Sequence, residues 1–69
     1  MESDDAKRLG SNLKRIRVDK GLSQVDVARE LDVGRGFVSN LESGKRNPTL
    51  STITRLAQAL GVTTDELLK

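Results

Sequence analysis

Between Ser23 and Asn47 the chain carries side chains suited to hydrogen bonding and charge neutralisation rather than to making or breaking covalent bonds. Arg35 offers a planar fork of N–H donors that matches paired acceptors such as guanine O6 and N7. Asn40, a turn further along the same helical face, has the donor and acceptor that adenine requires, or the donor that a phosphate requires. Ser39 between them is short, so a phosphate contact or none fits it better than base discrimination. Lys45, Arg46 and Asn47 form a short polar run whose two charges suit phosphate oxygens. Catalysis has far less to draw on. The absence of cysteine and histidine excludes disulfides, thiolate or imidazole metal sites, and Ser-His or Cys-His nucleophiles. The carboxylates fall at helix caps or on exposed faces, and so small a chain leaves no cleft for a catalytic pair. Neither an enzyme nor a cofactor is expected.

These residues need elements to hold them. Ser23 can accept from an orphan backbone N–H while Asp26 reaches back, a capping box that starts a helix at Gln24. Val27, Ala28 and Leu31 share one face of it, and small Ala28 suits a close helix crossing. After a three-residue turn a second helix, roughly Arg35 to Ser43, turns Val38 and Leu41 inward and Arg35, Gly36, Ser39 and Asn40 outward. Two short amphipathic helices joined in this way form a helix-turn-helix, which points to DNA. Upstream, Asp4 or Asp5 can cap a helix to about Lys20, with Leu9, Leu13 and Ile16 facing a core and Gly21 as its stop; residues 1–4 are expected to fray. Downstream, Thr49 caps a fourth helix with Leu50, Ile53, Leu56, Ala57 and Leu60 inward, ended by Gly61. Thr63 and Glu66 make a second capping box, with Val62 and Leu67 as its hydrophobic staple, carrying a short fifth helix to Leu68. No segment alternates as a strand does. The expected fold is all-α, a compact five-helix bundle in a single domain over residues 1–69.

With 69 residues, the chain sits near the lower limit for a core without staples. Its net charge of +2 is unevenly spread: Arg35, Lys45, Arg46 and Arg55 face only Glu42 between Val33 and Arg55, while acids gather at both ends. A basic surface around the second motif helix follows. The blander alternative is a solvated helical surface of mixed charge. The acidic N-terminus lacks the order of a secretory signal, and no apolar run approaches the ~20 residues that span a bilayer, so a cytoplasmic protein is expected.

The segments GLSQ at Gly21 to Gln24, VA at Val27-Ala28, VSNLESGKRNPTL from Val38 to Leu50 and LAQALGV from Leu56 to Val62 together resemble the Xre family, the Cro and C1 type of phage repressor. The resemblance spans most of the chain and implies the lambda-repressor-like five-helix fold, with the helix-turn-helix at helices 2 and 3. It also implies helix 3 in the major groove, helix 2 across the backbone, and a two-fold dimer on a near-palindromic operator. On the matching positions, Ser23 and Gln24 would meet a phosphate at a helix N-terminus, and Lys45, Arg46 and Asn47 would approach the backbone, with Arg46 also able to reach a groove edge. Arg35 is the foremost base reader and Asn40 the second. Phe37, the sole aromatic residue, lies at the edge of the buried stripe; it either packs at the core boundary or touches a thymine methyl or the backbone. Arg17 and Glu42 match positions that family members join in an ion pair between helices 1 and 3.

Three positions depart from the family. Asp32 stands where the turn commonly has Gly, Gly34 replaces a Ser or Thr cap, and Gly36 lies inside helix 3 where relatives often place a base-contacting side chain. Gly36 either permits closer approach to DNA or leaves the reading to Arg35 and Asn40. The expected function is a sequence-specific DNA-binding transcriptional regulator acting as a homodimer. With no further domain, dimer contacts are expected from Val62, Leu67 and Leu68. The alternative is a protein-interaction or adaptor module, antitoxin-like, that keeps the fold with weak DNA specificity.

Overall fold

The computed structural model describes residues 3–69 and contains five helices: α1 (Ser3–Asp19), α2 (Gln24–Leu31), α3 (Arg35–Glu42), α4 (Leu50–Leu60) and α5 (Thr64–Leu68). No strand occurs among the described residues. Local chemistry starts the helices where expected. Ser23 Oγ accepts from the Asp26 N–H at 3.0 Å, and Asp26 Oδ2 accepts from the Ser23 N–H at 2.8 Å. The Ser23 backbone N–H first, and the Ser23 hydroxyl second, hold the Asp26 carboxyl below its ordinary range. The cap's ionic contribution is therefore present above the ordinary carboxylate pKa and is lost as pH falls through the lowered one. Thr49 caps α4 by accepting from the Thr52 N–H at 3.1 Å. Asp32 ends α2 at φ 58°, the left-handed conformation the turn requires, at a cost of around 1 kcal/mol relative to Gly.

Helix α1 packs against α3 and α5, α2 against α3 and α4, and α4 against α5. Leu9, Leu13, Val27, Val38, Leu41, Leu56 and Leu67 are fully buried where these elements meet.

Several expectations are corrected. Asp4 and Asp5 lie within the first turn of α1, where their charges suit the helix dipole, and do not cap it. Ser3 and Asp4 are helical, while Met1 and Glu2, also expected to fray, lie outside the described residues. Ser43 is the cap of α3, not its last helical residue. At α5, Thr63 Oγ1 accepts from the Glu66 N–H at 3.3 Å, but no return bond to the Glu66 carboxylate completes a box. Leu50, expected to face inward, is 81% exposed at the first residue of α4 and is not part of the core. Leu67 is fully buried and so has no surface to offer a second subunit. It fills the core between α5 and α1, and Asn12 Nδ2 donates to its carbonyl oxygen at 2.9 Å.

Gly10 sets how closely α1 and α3 cross. A Cβ there would lie 2.6 Å from the Glu42 carbonyl oxygen and 2.9 Å from its carbonyl carbon, and would also clash with the Leu41 carbonyl oxygen. These are backbone atoms and cannot swing aside. Gly10→Ala is expected to destabilise by about 1–3 kcal/mol through forced separation of the helices. In an open helix the same substitution would stabilise by about 0.5–1 kcal/mol, so the sign of the change in melting temperature decides the point.

Candidate nucleic-acid interface

The face built by α2, its turn and α3 is organised around one carboxylate. Arg17 on α1 donates from Nε to Glu42 Oε2 at 2.6 Å and from Nη2 to Glu42 Oε1 at 3.2 Å, and its Nη1 donates to the Leu22 carbonyl at 2.8 Å. Gln24 Nε2 adds a further bond to Glu42 Oε1 at 3.0 Å. The Arg17 and Glu42 side chains retain only 11% and 5% of their exposure. One nearly buried pair thus ties α1, the residue before the α2 cap, the first turn of α2 and the end of α3 into a single body. It also neutralises the only acid of the segment Val33 to Arg55.

The consequence for Gln24 is specific. One amide N–H is held by Glu42, which leaves the other N–H and the unbonded backbone N–H groups of the first turn of α2 for an anion. The Ser23 oxygen serves as the cap, accepting from the Asp26 N–H. Beside them lies a polar notch of about 190 Å³ lined by Lys14, Gln24, Ser39, Glu42 and Ser43. Lys14 is absent from the sequence-based set. The signal was its position three residues before Arg17, which places it on the adjoining surface of α1.

Arg35, Gly36 and Asn40 are exposed and Ser39 is half-buried. No hydrogen bond or ion pair engages the Arg35 side chain among the described residues, and Gly34 caps the helix with its backbone alone, its carbonyl accepting from the Phe37 N–H at 3.1 Å. A Cβ added at Gly36 would meet nothing within 4 Å, so this glycine serves no packing purpose inside the protein. Gly36→Ala is expected to raise stability by about 0.5–1 kcal/mol, the reverse of the Gly10 result, measurable by thermal unfolding.

The loop after α3 is held by its own backbone. The Lys45 N–H donates to the Asn40 carbonyl at 3.0 Å, and Ser43 Oγ donates to the same oxygen at 3.2 Å. Lys45, Arg46 and Asn47 are exposed. Phe37 packs half-buried against the core, and the Arg46 guanidinium lies over its ring, 4.5 Å from the centroid.

Two groups are not brought to this face. Arg55, counted with the basic surface, donates through Nη2 to the Leu31 carbonyl at the end of α2. It lines a separate recess of about 160 Å³ with Glu30, Leu31, Gln58 and Ala59. The residues expected at a dimer interface do not form one patch: Leu68 is exposed, Val62 is half-buried against the core and Leu67 is inaccessible.

Comparison with known proteins agrees with this architecture. A family model described as helix-turn-helix matches residues 13–67. An uncharacterized HTH-type transcriptional regulator, y4dJ of Sinorhizobium fredii, is 46% identical over 65 residues, covering 94% of this chain and 84% of that protein. The control protein C.MunI of a Mycoplasma species is 39% identical over 61 residues, covering 87% and 82%. Among solved structures, the restriction-modification controller protein C.AhdI of Aeromonas hydrophila superposes with a TM-score of 0.88 at 38% identity, covering 93% of this chain and 97% of that one.

Proposed function

The chain belongs to the helix-turn-helix family of the Cro/C1 type, and from that premise we propose that it occupies a near-palindromic DNA operator as a homodimer, with α3 in the major groove. As a sequence-specific DNA-binding transcriptional regulator, it works by the chemistry of three groups. Arg35 and Asn40 on α3 read base edges, with Ser39 and Gly36 allowing close approach. Ser23, Gln24, Lys14, Lys45 and Asn47 hold the phosphates on either side. Glu42 keeps Gln24 in place. The carrying observation is that Lys14, Gln24 and Ser39 line one notch whose carboxylate, Glu42, is already bonded to Arg17. A two-fold dimer would set two α3 helices about 34 Å apart, one turn of duplex, and Leu68 with the exposed rim of Val62 supplies part of the contact.

The test is selection of randomised duplexes at near-physiological salt, with the mass of the protein measured in solution. An enriched near-palindrome bound by two chains is expected. Binding without enrichment that collapses as salt rises would leave phosphate attraction alone and transfer the role to a protein-interaction module.

Lys14→Gln makes a second, independent check. Each phosphate contact contributes about 0.9 to the slope of log affinity against log salt, so the variant is expected to lower the slope by that amount per subunit and to weaken all sequences alike. An unchanged slope would remove Lys14 from the phosphate set.

A further inference from the structure

Nothing in the sequence pairs Phe37, expected at the core boundary or against DNA, with Arg46, expected at the phosphate backbone or a groove edge. The structure joins them. Arg46 extends from an exposed loop, yet its guanidinium carbon sits 4.5 Å above the ring centroid of a residue anchored against the core. Among the described residues no carboxylate or carbonyl accepts from Arg46, so its N–H groups are all free while its planar face is occupied. Stacking on an aromatic face leaves the edge donors of a guanidinium exposed, and those donors are the part that recognises phosphate or a base edge. A loop arginine in free solution would lose its rotamer freedom on binding. One already held over a ring has less to lose.

We propose that Phe37 is a positioning residue for DNA binding: its ring is the platform that holds the Arg46 guanidinium in the orientation that meets the nucleic acid, so that α3 and the following loop act as one reader. This rests on the DNA-binding reading above. Phe37 makes its contribution through Arg46 and not by touching a thymine methyl itself. The absence of a side chain at neighbouring Gly36 leaves open space beside this platform for the duplex.

The experiment is a double-mutant cycle with Phe37→Leu and Arg46→Ala, measured on the enriched duplex, together with nuclear magnetic resonance of the free protein. The leucine keeps apolar bulk and removes the ring. The wild-type Arg46 side-chain protons are expected to be shifted upfield by ring current, in Phe37→Tyr as well, and the shift is expected to vanish in Phe37→Leu. On DNA, Phe37→Leu is expected to weaken binding roughly two- to fivefold per subunit, the scale of a cation–π contact at an exposed site, and to have no further effect once Arg46 is alanine. A Phe37→Leu loss that is the same in both backgrounds overturns the proposal and assigns the ring a contact of its own. So does a wild-type spectrum without the upfield shift, a readout that does not depend on Phe37→Leu folding. If the shift is present and no duplex is enriched, the DNA-binding reading itself has failed, and the platform's purpose with it.

Discussion

Arg35→Ala is expected to abolish sequence preference while leaving the protein folded. In a homodimer the substitution removes the reading group from both half-sites, and with each bidentate pair worth about 1–3 kcal/mol the specific complex loses about 2–6 kcal/mol. The side chain is exposed and unpaired, so nothing within the protein depends on it and the melting temperature is expected to hold. The measurement is affinity for the enriched duplex and for one altered at its enriched guanine. Wild type should distinguish the two, and the variant should bind both alike with the weak, salt-sensitive attraction that phosphates alone provide. A variant that keeps the preference would transfer base reading to Asn40 or the loop.

Glu42→Ala is expected to act on the opposite property. It strips the nearly buried Arg17 guanidinium of its carboxylate and Gln24 of the acceptor that orients it. Leaving a buried charge without its partner costs about 3–5 kcal/mol. For a chain of this length total stability is itself only several kcal/mol, so the variant is expected to be largely unfolded well below the wild-type melting temperature. Replacing both members by apolar residues, Arg17→Met with Glu42→Leu, is expected to recover much of that stability, because two desolvated charges are removed together. The recovered protein would still bind DNA more weakly, since Gln24 would lack its anchor. Thermal unfolding of the single and double variants decides this; unchanged melting with altered base preference in Glu42→Ala would contradict it.

The two predictions separate because Arg35 and Glu42 share a helix but not an environment. Arg35 begins α3 in solvent; Glu42 ends it against α1. The helical period places them differently, but the depth of Glu42 comes from the docking of α1. That docking needs Gly10, where the α3 carbonyls leave no room for a Cβ.

By itself the sequence determined the five helices, the Ser23–Asp26 box, the Thr49 cap and the outward face of α3. Each depends on residues within about four positions of one another, the range over which caps and helical periodicity act. Its likeness to the Xre family also marked the Arg17–Glu42 pair. Tertiary structure alone decided what happens to side chains once distant helices meet. It drew Gln24 into the Glu42 network, sent Arg55 to the α2 terminus, stacked Arg46 on Phe37 and brought Lys14 beside the polar notch at Gln24. It also exchanged the expected fates of two leucines: Leu67, placed at a dimer surface, fills the core, and Leu50, placed in the core, stands in solvent. An apolar residue at the right helical phase is buried only if another element lies opposite it, and that is a property of the packed bundle and not of any one helix.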